Sequence, residues 1–168
     1  MDTPKVIAFS KSKAPYGWMS NMSYSKIVYG GHVWDSAEHL FQALRFTDPS
    51  LQALIRAESN PYLAKQKMKE LGAKFGFSVQ PRSSEDLDNM RFVLQLKFEQ
   101  HPDLQDVLDA TGDDVIYEDV TRRGKTESNL FWGGFREADG TWVGENWLGR
   151  LLMERRKPVK NIIQKPLF

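Results

Sequence analysis

Between residues 48 and 102 the chain marks one helix start after another. Asp48-Pro49 and Asn60-Pro61 each place an N-cap side chain before a proline whose fixed φ suits the first helical position. Ser84-Glu85 opens a further helix, and Pro102 stands where a fourth would begin. Chain punctuated this often can only form short helices packed on one another. The inward faces follow from helical spacing. Leu51, Leu54 and Ile55 belong to the first of these helices. Leu63, Ala64, Met68 and Leu71 belong to the second, with Gly72 as its expected stop. Leu87, Met90, Leu94 and Phe98 run along the third to about Gln100, and Leu104, Val107 and Leu108 along the fourth, which Gly112 ends.

Strand signals are few. Val6 to Phe9 and Val115 to Val120 read as strands, and Ile27-Val28-Tyr29 with His32-Val33-Trp34 reads as a hairpin closed by Gly30-Gly31. Asp139-Gly140 is a second hairpin turn, ahead of Thr141-Trp142-Val143. Lys74 to Arg82 and Arg122 to Asn129 read as loops. A last helix follows Asn146, with Leu148, Leu151 and Leu152 inward, Arg155, Arg156 and Lys157 at its negative dipole end, and Pro158 as its stop. Residues 159–168 carry too little pattern to assign. With no repeat and no linker, residues 1–168 are expected to form one domain, mainly α, an α+β fold with a few short strands.

Composition closes off several functions. A net charge of +1 gives no general attraction to nucleic acid or anionic membrane. The absence of cysteine removes disulfides, thiolate nucleophiles and thiolate metal sites, and it fits a reducing compartment. No leader segment and no apolar run of membrane-spanning length is visible, so a cytoplasmic protein is expected. No Gly-x-Gly-x-x-Gly, Walker-type loop or Gly-x-Ser-x-Gly elbow occurs, and His32, His39 and His101 lack metal-ligand spacing with one another. We therefore expect no bound cofactor and no metal.

The densest stretch is Trp34 to Phe46. Asp35 and Ser36 are both N-cap types, and Asp35 with Glu38 three positions later has the form of a capping box. Ala37, Leu40, Phe41 and Leu44 share one face, while Glu38, Gln42 and Arg45 at i, i+4 and i+7 form a polar stripe beside it. A carboxylate, an amide and a guanidinium in a row suit a sugar-phosphate ligand; they also suit a solvated helix face. Glu38 has a further structural reading, as the partner of the cap's own N–H. Lys97, on the flank of its helix's stripe, reads as a snorkelling cation or as part of a cleft wall. Four loops rich in Trp, Asn and Gly, at 18–21, 34–38, 132–134 and 144–146, lie at or near helix starts, where free N–H groups suit phosphate and indole faces suit a base. Their common character points to one shared pocket.

These same residues carry a family resemblance. Tyr16-Gly17-Trp18-Met19-Ser20-Asn21, then Trp34-x-Ser36-x-Glu38-His39-x-Phe41-Gln42-Ala43-x-x-Phe46, resembles the opening of the NADAR superfamily of YbiA-like proteins. Asn60-Pro61-x-x-Ala64-Lys65, Met90 with Lys97-Phe98, Thr111-Gly112, Glu118, Trp132-Gly133 and Gly144-x-Asn146-x-Leu148-Gly149-x-x-Leu152-Met153-x-x-Arg156 follow in the family's order, from about Phe9 to Arg156. The resemblance implies a YbiA-like, orthogonally packed helical domain that hydrolyses N-glycosidic bonds at ribose C1. Two substrate classes come with it: ADP-ribose on guanine bases, and the ribosylamino-pyrimidine intermediates of riboflavin biosynthesis. Riboflavin-type members carry a Trp where Arg82 stands and an Asp where Gly134 stands, so the ADP-ribosyl substrate is the expectation here.

A ribosyl C–N bond breaks through an oxocarbenium-like transition state, which needs an anion near C1. Glu38 is the expected anion. Glu118 is a second carboxylate to share its work or hold ribose hydroxyls, and Lys97 is either a phosphate ligand or an amine that attacks C1. Asn21, Gln42 and Asn146 would read hydroxyls or a base edge, and Trp34 or Trp132 would stack on a ring. Ser20, His39, Arg45, Gly133 and Gly149 complete the expected binding set. Structural alternatives stand beside these: Lys97 as a surface cation, Trp132-Gly133 as a packed corner, Asn146 as an N-cap. Two rival functions remain open. One is a non-catalytic ADP-ribose reader. The other is a nucleic-acid module with Arg122, Arg123 and Lys125 as a phosphate clamp, which an ADP-ribosylated nucleic-acid substrate would reconcile with the enzyme.

Overall fold

The computed structural model describes residues 3–11 and 13–156. Its centre is α1 (Ala37–Ala43), a helix whose seven residues are all buried. Around it stand α2 (Pro49–Arg56), α3 (Pro61–Phe75) and α4 (Ser84–Gln100), each packed on α1. The hairpin of β2 (Ile27–Tyr29) and β3 (His32–Trp34) leads directly into α1. Beyond α4 come α5 (Pro102–Asp109) and β4 (Val115–Glu118), which pairs in parallel with β1 (Val6–Phe9), Val6 opposite Val115 and Phe9 opposite Glu118. Then follow α6 (Glu127–Trp132), a small hairpin of β5 (Phe135–Arg136) and β6 (Trp142–Val143), and α7 (Trp147–Arg155), which packs on β4 and α4. The architecture is α+β, dominated by short helices. No helix among the described residues is long and apolar enough to cross a membrane.

The capping signals before α2 and α3 act as the sequence predicts. Asp48 and Asn60 accept from backbone N–H groups of Ser50 and Leu63, and Ser83 accepts from Asp86. At α1 the cap is Ser36, whose Oγ accepts from His39 N at 3.3 Å. Glu38 is thereby one position short of the capping-box site, and its carboxylate is free for other work. The core gathers Leu40, Phe41 and Phe46 around α1 with Met90, Leu94 and Phe98 from α4 and Leu151 and Leu152 from α7. Each large apolar side chain buried this fully contributes about 1.5–3 kcal/mol. The free edge of β2 is closed by a side chain: the Gln100 amide donates to Val28 O and accepts from Val28 N, both at 2.8 Å.

Several expectations are corrected. Gly72 does not stop α3, which runs on to Phe75 and ends at Gly76 with φ +79°. Gly72 instead admits the ring of Phe77, since a Cβ there would lie 2.0 Å from Phe77 Cζ. The polar stretch expected as a loop from Arg122 holds a single 3-10 turn (Thr121–Arg123) and then α6, capped by the Thr126 hydroxyl. That helix is six residues long and buries none of them fully, so it leaves no apolar period to read. Leu54, Leu63 and Val107 are substantially exposed rather than inward. The assignments of Lys157, Pro158 and the tail 159–168 lie outside the described residues.

Gly149 lets α7 lie against β4. A Cβ at this position would stand 2.2 Å from Ile116 O and 2.4 Å from Asn146 Nδ2, both fixed groups. Gly149→Ala must push the two elements apart, and we expect it to cost about 2 kcal/mol or more, a fall in melting temperature of roughly 4–8 °C for a chain of this size. An unchanged thermal melt would show that the helix does not sit on the strand.

Candidate active site

A cleft of about 760 Å³ opens beside α1, walled by the 20–24 loop, α3, the end of β4 and α6. Of the residues expected from sequence, Ser20, Asn21, Glu38, Gln42, Arg45, Glu118 and Trp132 line it. The space is ample for a nucleotide-sized ligand.

One polar chain organises the α1 wall. Gln42 Nε2 donates to Glu38 Oε1 at 2.6 Å, and Arg45 Nη1 donates to Gln42 Oε1 at 2.9 Å. Arg45 sits beyond the helix end and grips Asp86 with both sides of its fork, Nε to Oδ1 at 2.9 Å and Nη2 to Oδ2 at 2.8 Å. Its guanidinium also lies over the Phe41 ring, 4.8 Å from the centroid. All four side chains are buried, Asp86 completely. The expected i, i+4, i+7 stripe is therefore one hydrogen-bonded row, and its guanidinium is already committed to protein partners. Asp86 was not among the expected site residues. It stands three positions after its helix cap, where an acid reads as part of a capping box; only the fold shows its partner, 41 positions upstream.

The opposite wall is a pinned loop. Lys97 Nζ donates to Trp18 O at 2.6 Å, Ser20 O at 3.1 Å and Ser23 Oγ at 3.3 Å, so three acceptors meet the three ammonium protons. The side chain is wholly buried, and burial pushes its pKa down from 10.5 to about 7. The amine thus lies behind the loop that carries Ser20 and Asn21, not on the cleft surface. Asn21 lines the cleft, with Nδ2 donating to Met90 Sδ at 3.0 Å and Oδ1 buried without a partner among the described residues.

At the third wall, Glu118 ends β4. Its Oε1 accepts from Arg123 Nη2 at 2.8 Å, while Oε2 is buried without a partner among the described residues, as is Arg123 Nε. Asn146 holds this strand end from behind, its Oδ1 accepting from Glu118 N at 3.1 Å and its Nδ2 donating to Ile116 O at 2.8 Å. It precedes α7 in the left-handed conformation, φ +53°, and makes no side-chain cap. Trp132 presents to the cleft and packs edge-on against Phe41, ring centroids 5.4 Å apart.

The remaining expected residues stand outside the cleft. Trp34 is buried, donating Nε1–H to Tyr29 O at 3.2 Å with Arg56 over its ring, so it offers no free face for stacking. His39 is fully buried between Ser36 Oγ (2.7 Å) and Glu58 O (3.0 Å) and orders the start of α1. Asn146 and Gly149 form the β4–α7 joint. Gly133 packs against the Glu118 carbonyl, 2.4 Å from where a Cβ would be, so Trp132-Gly133 is a packed corner whose indole also reaches the cleft. Arg123 pairs with Glu118 and Lys125 with Glu137, which takes two of the three cations out of the expected phosphate clamp. Among the described residues no group of three or more His, Cys, Asp or Glu is arranged to hold a metal ion.

Lys97 makes stability depend on pH in a definite sense. Its folded pKa lies below the unfolded value, so between about pH 7 and 10.5 the unfolded chain binds the extra proton. The cost of burying the charge is present in full below pH 7 and is relieved as pH rises through that window. Compared with Lys97→Met, wild type should therefore gain in urea midpoint from pH 7 to 10. A gap that stays constant across this range would show an amine titrating near its ordinary value.

The geometry agrees with what the chain is similar to. The NADAR domain model matches residues 8–160. N-glycosidase YbiA of Escherichia coli (strain K12) is 32% identical over 152 residues, covering 90% of this chain and 87% of that protein. Riboflavin biosynthesis protein VVA0006 of Vibrio vulnificus is 28% identical over 157 residues, covering 92% of this chain but 38% of that longer protein. The NMR structure of E. coli YbiA superposes with a TM-score of 0.70 at 32% identity, over 93% of this chain and 85% of that one. A family model spanning nearly the whole chain, with a relative of this identity and the same fold, settles the membership: the chain belongs to the NADAR domain family.

Proposed function

We propose that this protein removes ADP-ribose from guanine bases by hydrolysing the N-glycosidic bond at ribose C1. The broader class, a hydrolase acting on N-glycosyl bonds, is that of its named relatives. The observation that carries the reading is the pair of cleft carboxylates, each with one oxygen held by a neighbouring side chain, Glu118 Oε2 being buried without a partner among the described residues. Glu38 Oε1 is fixed by Gln42, and Glu118 Oε1 by Arg123.

An oxocarbenium ion developing at C1 needs a nearby anion already in place before the bond breaks. Glu38 supplies it, on a buried helix where the carboxylate cannot swing away. Its second oxygen is available to take a proton from the attacking water. Glu118 Oε2 and Asn21 Oδ1, both acceptors without a partner among the described residues, suit the donor hydroxyls of a ribose. Trp132 offers a face to a base. Lys97 is positioned to shape the loop bearing Ser20 and Asn21. Its lowered pKa also suits an amine that attacks C1, provided the Trp18–Ser23 segment releases it. Borohydride treatment during turnover separates these routes: a trapped adduct on Lys97 means amine attack, and none means direct attack by water.

Two features favour the ADP-ribosyl substrate. Lys11, Lys65 and Lys69 line the cleft without acidic partners among the described residues, while Lys67 between them is paired with Glu58 and Glu70. Unpaired cations beyond the carboxylates suit a pyrophosphate. In addition, Gly134 lies under the stacked rings of Tyr117 and Trp142; a Cβ would stand 2.7 Å from Tyr117 Cδ1, so the aspartate of riboflavin-type members has no room here. Arg82 turns away to Glu127. The ribosylamino-pyrimidine reading is kept second by the similarity to the Vibrio protein. A nucleic acid bearing the modified guanine is the intended macromolecular substrate, and the absence of cysteine fits a cytoplasmic reaction.

Incubation with a guanine-ADP-ribosylated oligonucleotide tests this directly. Wild type should release free ADP-ribose, and Glu38→Gln should be slower by about 100-fold or more. Equal ADP-ribose binding by both with no release by either would mark a reader. Turnover of a ribosylamino-pyrimidine in its place would reassign the substrate.

A further inference from the structure

We infer that Asp86 is a positioning residue for the reaction at Glu38, acting through Arg45 and Gln42. The inference rests on the N-glycosidase reading above.

The argument begins with donor and acceptor counting. A guanidinium can only donate hydrogen bonds and an ionised carboxylate can only accept them. Gln42 lies between one of each, so its amide has a single allowed orientation: oxygen toward Arg45, nitrogen toward Glu38. Reversing the amide would face donors with donors and acceptors with acceptors at two buried contacts. The orientation that survives aims an N–H at Oε1 of Glu38, a residue that lines the cleft. What fixes Gln42 is Arg45, and what fixes Arg45 is the two-point grip of Asp86, itself held by Arg82 N at 2.7 Å. The row therefore transmits geometry from the start of α4 to the carboxylate on α1.

It also sets the charge. Glu38 and Asp86 are two anions and Arg45 is one cation, so the buried row carries one net negative charge. Without Asp86 the guanidinium would stand uncompensated behind Glu38 and offset the anion that faces C1. With Asp86 present that positive charge is taken up on the far side, and the cleft retains a negative site. A cation forming on the sugar is the partner this arrangement lacks. Asp86 has no place on the cleft wall, so its effect should fall on the chemical step and not on substrate binding.

The test measures kcat and KM separately for wild type, Asp86→Asn and Gln42→Met, on both the ADP-ribosylated oligonucleotide and a ribosylamino-pyrimidine, with thermal melts alongside. Asp86→Asn should lose about 100-fold in kcat, the scale of a misplaced catalytic group, with KM within about threefold of wild type. Gln42→Met keeps the Asp86–Arg45 pair and cuts the row at its middle, so it remains informative if Asp86→Asn fails to fold. It should show the same loss in kcat. Folded variants with kcat within about threefold of wild type would overturn the inference, as would a loss confined to KM. Wild type inactive on both substrates would overturn the N-glycosidase reading, and the proposed role of Asp86 with it; a wild type active on either, beside equally active variants, overturns this inference alone.

Discussion

A helix buried on every side can keep ionisable groups only if each finds a partner, and α1 meets that condition through the bidentate contact between Arg45 and Asp86. The pair joins the end of α1 to the start of α4, the two elements that also bring Leu40, Phe41, Met90, Leu94 and Phe98 into the core. Breaking such a pair by removing one partner costs about 3–5 kcal/mol, because the other charge is left buried and alone. The same contact orients Gln42 and, through it, Glu38. Stability and the candidate chemistry thus share one interaction, and α1 can be short, fully enclosed and functional at once.

The other walls of the cleft follow a similar rule. The backbone segments that carry the functional side chains are held by groups outside the cleft. Lys97 holds the Ser20–Asn21 loop from below, Asn146 holds the end of β4 on which Glu118 sits, and Gly149 and Gly133 let backbone approach backbone closely enough for this to happen. The family's motif residues divide accordingly. Some touch the cleft, and others place those that do.

That division explains what was legible in the sequence. Helix starts at Asp48-Pro49, Asn60-Pro61 and Ser84-Glu85 could be read because a helix start is marked by a few local residues. The cleft positions of Glu38, Gln42 and Asn21 were legible through motif resemblance. What could not be read depends on contacts between distant parts of the chain. Asp86 looks like an ordinary first-turn acid until Arg45 is brought beside it. Trp34 and His39 lie inside the most telling motif, yet their polar atoms are used by Tyr29 and Glu58 carbonyls, so the motif records their structural role and not ligand contact. Gly72 looks like a stop because its real reason, the Phe77 ring folding back, lies beyond the helix it appears to end. α6 escaped because a short polar helix has no period.

Substrate choice within such a fold need not be decided at the reacting bond. Glu38 and its row would serve any ribosyl cation equally, since they answer only to charge at C1. Discrimination must come from the groups around the leaving base and the rest of the sugar's substituents. In this chain the β4–β6 corner is filled by the Tyr117–Trp142 stack over Gly134, which leaves no space for a carboxylate to read a base edge there. The cations stand instead on the α3 lip and on Lys11. Under the proposed function, a site with no acidic reader at one end and, at the other, lysines without acidic partners among the described residues would rest its recognition on phosphate more than on the leaving group. On that reading this redistribution, more than Glu38, would separate an ADP-ribosyl substrate from a ribosylamino-pyrimidine.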